Sequence, residues 1–126
     1  MAALCFALLR SLDRPAGTLS VVFAGARAMR LLNRRYRGRD YATDVLSFSY
    51  ADAVMEGRPF LGEIIVSPEA AAGYASRRGA DPERELRRLL VHGILHVSGY
   101  DHETDSGRMK RAQNRLMRRK CVADSP

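Results

Sequence analysis

Residues 61–69 read Leu-Gly-Glu-Ile-Ile-Val-Ser-Pro-Glu, and the change of pattern inside this stretch decides the fold class. Leu61 to Val66 is a short apolar run of the kind a buried strand carries. Ser67 and Pro68 then open a helix. Ser67 supplies an N-cap oxygen, Pro68 suits the first helical position, and Glu69 sits beside the positive end. This helix runs to about Arg78 and stops at Gly79.

Downstream, Asp81 and Pro82 repeat the start signal. The helix they open carries Leu86, Leu89, Leu90, Ile94 and Leu95, and ends at Gly99 after about Val97 or Ser98. A last helix spans roughly Asp105 to Cys121, with Met109, Ala112, Leu116 and Met117 inward. Upstream, Thr43 to Tyr50 alternates as a strand, Val45 and Ser47 facing one way and Leu46 and Phe48 the other. Ala51 to Pro59 reads as a loop and Arg37 to Ala42 as a polar connection. Ala26 to Tyr36 is a helix with Ala28, Leu31, Leu32 and Tyr36 at helical spacing, and Thr18 to Phe23 is a strand. Asp13 to Gly17 is a turn. Met1 to Leu12 reads as an amphipathic helix with Leu4, Leu8 and Leu12 on one face. Elements mixed in this order predict one sheet layered against helices.

The 126 residues fit a single domain, 1–126, and 46% of them are hydrophobic, which argues against disorder. Two cysteines, Cys5 and Cys121, are too few for a disulfide-built scaffold and suit a reducing cytoplasm. No basic residue precedes the apolar start and Arg10 interrupts it, so it reads as neither a signal peptide nor a membrane span. The formal net charge of +7 favours a polyanionic partner, nucleic acid above all.

All three histidines fall in one stretch, His92-Gly-Ile-Leu-His96-Val-Ser-Gly-Tyr-Asp-His102. His92 and His96 stand at i and i+4, so their side chains leave the same helical face one turn apart. Gly99 ends the helix and lets the chain turn back, which can bring His102 to the same ion. Three neutral imidazoles suit zinc, and also nickel, copper or iron. Three protein ligands leave the fourth tetrahedral position to water, whose pKa a bound zinc lowers from ~15.7 to ~7. Tyr100, Asp101 and Glu103 are candidates to accept an imidazole N–H, and Asp101 serves equally well as a turn residue.

Zinc peptidases carry His-Glu-x-x-His on such a helix, one clan continuing to x-x-Gly-x-x-His. Here Gly93 occupies the place of the glutamate that serves them as general base. A zinc metallopeptidase-like hydrolase is therefore the alternative rather than the leading reading.

Three blocks extend the pattern: Leu32-Asn-Arg-Arg-Tyr-Arg-Gly-Arg-Asp40 with Thr43-Asp-Val-Leu-Ser-Phe48, then Leu61-Gly-Glu-Ile-Ile-Val66, then the histidine stretch through His102. In this order they resemble the YbeY family of bacterial rRNA maturation factors, single-strand-specific endoribonucleases. Three positions depart from the family's habit: Ala42 for proline, Glu63 for aspartate and Val97 for leucine. None of these is a histidine ligand.

The resemblance implies an α+β fold, a small mixed sheet of about four strands packed against helices, and a metal site at the end of a central helix. It implies a zinc ion, or another divalent metal such as nickel, held by His92, His96 and His102. It implies RNA, especially rRNA, as substrate, ribosome or small-subunit proteins as partners, and a cytoplasmic role in 16S 3'-end maturation and ribosome quality control. It singles out Arg37, alongside His92, as catalytic. A guanidinium beside the metal can stabilise the charge that builds on a phosphoryl group, with two parallel hydrogen bonds that a lysine cannot form. On residue type alone Arg37 is one of several surface arginines, with Arg34, Arg35 and Arg39 close by. The last helix adds Arg108, Lys110, Arg111, Arg115, Arg118, Arg119 and Lys120, a stripe able to contact phosphates. A non-catalytic ribosome-assembly factor with a structural zinc is the remaining alternative.

Overall fold

The structure, a computed structural model, describes residues 18–49, 54–55, 57–99 and 107–118. The expected first helix, both cysteines, residues 100–106 with His102, and Arg119 and Lys120 lie outside the described residues.

The elements follow as β1 (Thr18–Phe23), α1 (Ala26–Arg37), β2 (Val45–Ser49), β3 (Val54–Met55), β4 (Arg58–Val66), α2 (Pro68–Arg77), α3 (Pro82–Val97) and α4 (Arg108–Met117). The fold is α+β. β4 is the middle of the sheet: β1 runs parallel to it, with Val21 opposite Ile64, and β2 antiparallel, with Leu46 opposite Ile65. β3 forms a short antiparallel pair with the start of β4.

Both faces of β4 are covered, which is why its sequence reads as a continuous apolar run. Ile64 and Val66 pack on one side with Leu90, Val91, Ile94 and Leu95 of α3 and with Met109, Ala112 and Leu116 of α4. Ile65 packs on the other side with Met29 of α1 and Leu46 of β2. The alternation expected in β2 is present, with Val45 against the α3 side and Leu46 and Phe48 against the α1 side.

The helix starts obey the expected chemistry. Ser67 accepts a hydrogen bond from Ala70 N at 3.1 Å, and Asp81 accepts one from Arg84 N at 3.0 Å. Gly79 and Gly99 follow their helices with positive φ. The four expected inward residues of α4 are all buried.

Two expectations need correction. The Ala51 to Pro59 segment is not all loop: β4 begins at Arg58, and Val54 and Met55 pair back onto Pro59 and Arg58. In α1 the buried residues are Met29 and Asn33, while Ala28, Leu31 and Tyr36 are exposed and Leu32 is half-buried. The stripe is rotated because Asn33, although polar, points inward and donates through Nδ2 to Tyr41 O at 3.0 Å.

Two glycines let α3 lie close on β4. A Cβ at Gly62 would come 2.0 Å from Val97 Cγ1 and 2.5 Å from Phe48 O, and one at Gly93 would come 2.9 Å from Ile64 Cγ2. Beyond α3, the α2–α3 corner is tied by Glu85, buried at 6% exposure. It accepts Arg78 Nη2 at 2.7 Å and Arg88 Nε at 3.1 Å. These hydrogen bonds, the one from Arg88 first, hold its carboxyl below the usual range although burial opposes the shift.

Candidate metal centre

His92 and His96 stand one turn apart on α3, both half-buried. Their ring centroids are 4.7 Å apart and their planes cross at 74°. With Zn–N bonds of ~2.0–2.1 Å, two imidazoles sharing one ion have centroids within roughly 6 Å of each other, a limit this pair meets. The donors are borderline-soft nitrogens, which suit zinc or nickel better than magnesium or calcium. His92 Nδ1 lies 2.9 Å from Gln113 Oε1 on α4.

Both rings line a cleft of about 300 Å³, together with Asn33, Arg37, Arg39, Tyr41, Thr43 and Ser47. The cleft runs between the end of α3, β2 and the loop after α1. Arg37 thus reaches the same cleft as the two histidines from the opposite wall, its Nη2 3.4 Å from Ser47 O. The loop that carries Arg39 and Tyr41 is pinned locally. Gly38, with φ +67°, turns the chain out of α1 in the left-handed conformation that favours glycine. Asn33 holds Tyr41 O, and Arg30 grips Asp40 through two hydrogen bonds of 2.8 and 3.1 Å. Those bonds keep the Asp40 carboxyl below its usual range.

Of the four expected site residues, the structure brings Arg37, His92 and His96 to one cleft. His102 lies outside the described residues, as do Tyr100, Asp101 and Glu103. No aspartate or glutamate is among the described residues lining the cleft. Among the described residues, no three histidine, cysteine, aspartate or glutamate side chains gather as a metal site. Sequence reasoning missed Asn33, Arg39, Tyr41, Thr43 and Gln113. Asn33, Arg39 and Thr43 stand in the blocks that carry the resemblance, and Gln113 is the one polar residue at the apolar spacing of α4; Tyr41 left no such mark.

The model of the family described as Endoribonuclease YbeY matches residues 3–120. The chain belongs to the YbeY family. It is 39% identical over 102 residues to the Endoribonuclease YbeY of Thermodesulfovibrio yellowstonii, covering 79% of this chain and 64% of that one. It is 42% identical over 114 residues to the relative from Anaeromyxobacter sp., covering 89% and 59%. The chain therefore spans about six tenths of the length of these curated YbeY relatives. The solution structure of TM1509 from Thermotoga maritima superposes with a TM-score of 0.60 at 29% identity, covering 94% of this chain and 83% of that one. No described helix is long and apolar enough to cross a membrane.

Proposed function

We propose that this chain is a metal-dependent, single-strand-specific endoribonuclease that acts on rRNA. Its proposed work is 16S 3'-end maturation and ribosome quality control in the cytoplasm, in contact with the ribosome or small-subunit proteins. The observation that carries the reading is the cleft shared by His92, His96 and Arg37. The endoribonuclease activity for which the relatives are named supports it.

In this reading His92, His96 and His102 hold one zinc ion, with nickel as an alternative. When bound, the ion supplies Lewis-acid polarisation and activation of an attacking oxygen. Arg37 reaches across the cleft to the scissile phosphate. Its fork of N–H donors binds two phosphoryl oxygens and offsets the negative charge that grows as the P–O bond exchanges. Arg39, on the same wall, binds a neighbouring phosphate of the strand. The cleft offers no described aromatic stacking ladder beyond Tyr41, so recognition leans on backbone phosphates rather than base identity.

The peptidase alternative loses ground on Gly93. A side chain there would point at Ile64 within the core rather than into the cleft, so the position at which zinc peptidases carry their base is closed. The deciding assay gives zinc-loaded protein a single-stranded RNA, the same sequence as a duplex, and casein. Cleavage of the single strand alone is expected. Cleavage of casein with RNA left intact overturns the proposal. His92→Ala separates catalysis from a structural zinc, since a folded but inactive variant is expected and unfolding on metal loss would favour the assembly-factor reading.

A further inference from the structure

The apolar stripe of α4 runs through Met109, Ala112, Leu116 and Met117, all buried. These are positions i, i+3, i+7 and i+8, and the missing member of that pattern, i+4, is Gln113. An apolar side chain there would continue the stripe. A half-buried glutamine stands instead, with its amide oxygen 2.9 Å from His92 Nδ1. The sheet side of α3 and the apolar side of α4 are packed into one core, so both ends of this contact are held by rigid elements.

We infer that Gln113 is a positioning residue for His92: it accepts the Nδ1–H and thereby fixes the ring's tautomer and rotation. In a neutral imidazole one nitrogen donates and the other holds the lone pair. Hydrogen on Nδ1 puts the lone pair on Nε2, the nitrogen through which His92 then binds a metal. Such a partner also raises the basicity of the ligating nitrogen. The inference rests on the metal reading above, and it assigns the orienting role to α4. The sequence alone offers Tyr100, Asp101 and Glu103 as candidates for that role. The helix whose outer face exposes Arg108, Lys110, Arg111, Arg115 and Arg118 would then have its inner face on a metal ligand.

The test compares wild type with Gln113→Leu and Gln113→Glu. One readout is the zinc dissociation constant, by competition with a chromophoric chelator. The other is the His92 tautomer in metal-free protein, by long-range proton–nitrogen correlation. Wild type is expected to show the Nδ1–H form. Gln113→Leu should lose that preference and bind zinc ~10–100-fold more weakly. Gln113→Glu keeps an acceptor at the same reach and should restore both, a rescue that a packing role would not give. An Nε2–H form in wild type overturns the inference. So does a Gln113→Leu protein that keeps both the tautomer and the zinc affinity. Should Gln113→Leu not fold, Gln113→Glu with wild-type affinity and Nδ1–H form supports the inference, and a Gln113→Glu protein with the opposite tautomer overturns it. A wild type that binds no zinc contradicts the proposed function instead, and the tautomer alone then decides the role of Gln113.

Discussion

Gly62 in β4 and Val97 at the end of α3 touch so closely that a methyl group at 62 would come 2.0 Å from Val97 Cγ1. This approach lets the last turn of α3, with His96, lie against the sheet and face the cleft. Ser49 Oγ reinforces it by donating to His96 O at 3.3 Å.

Gly62→Ala should therefore push the end of α3 off the sheet. Overpacking of this kind costs about 1–3 kcal/mol, seen as a lower melting temperature. Metal affinity should fall with it, because His96 moves relative to His92. A thermal melt and a zinc titration of the variant check both effects.

Gly93→Glu should not make a peptidase. The new carboxylate would enter the core beside Ile64, and burying it unpaired should cost ~3 kcal/mol or more. Circular dichroism melts are expected to show severe destabilisation and casein assays no activity. A stable variant that cleaves casein would mean the side chain reaches the cleft.

Arg37→Ala should leave the fold and the metal content intact, because Arg37 is exposed and its bond to Ser47 O is long. Cleavage of single-stranded RNA should drop by about 10²–10³-fold, the scale seen when one charge-stabilising donor is removed. Arg37→Lys should recover only part of the loss, since the planar fork is gone. Unchanged cleavage rates would remove Arg37 from the reaction.

Glu85 predicts an acid-side weakness. Its carboxyl titrates below the ordinary value of 4.5 in the folded chain. The stability it contributes is full above that value and is lost as the pH falls through the folded pKa. Glu85→Gln should cost about 1.5–3 kcal/mol at neutral pH, the scale of hydrogen bonds to charged groups. The gap from wild type should shrink as the pH is lowered below 4.5. Denaturant melts at several pH values test this, and a gap independent of pH would contradict it.

Much of this was legible in the residues. Ser67-Pro68 and Asp81-Pro82 declare helix starts because capping is local chemistry, and Leu61 to Val66 declares a strand covered on both sides. The i, i+4 pair His92 and His96 fixes a common face wherever the helix lies. What the residues hid depends on distant partners. Asn33 turns inward because Tyr41 O is there to accept its amide, and that rotates α1 away from the stripe its leucines suggest. Pro59 and Gly57 look like loop, yet β4 starts at Arg58, where β3 lies antiparallel with Val54 opposite Pro59 and Met55 opposite Arg58. Gln113 breaks the apolar stripe of α4 for no visible reason until α4 is laid against α3.

The proposed reaction requires one transition metal held by His92, His96 and His102 beside Arg37. Cleavage of a single-stranded RNA, followed while a chelator strips the purified protein and stoichiometric zinc is returned, tests it most directly. The expected result is activity that vanishes on stripping and returns at one zinc per chain, with no return in His92→Ala. Cleavage that persists at full rate in metal-free protein, or that returns equally in His92→Ala, would contradict it.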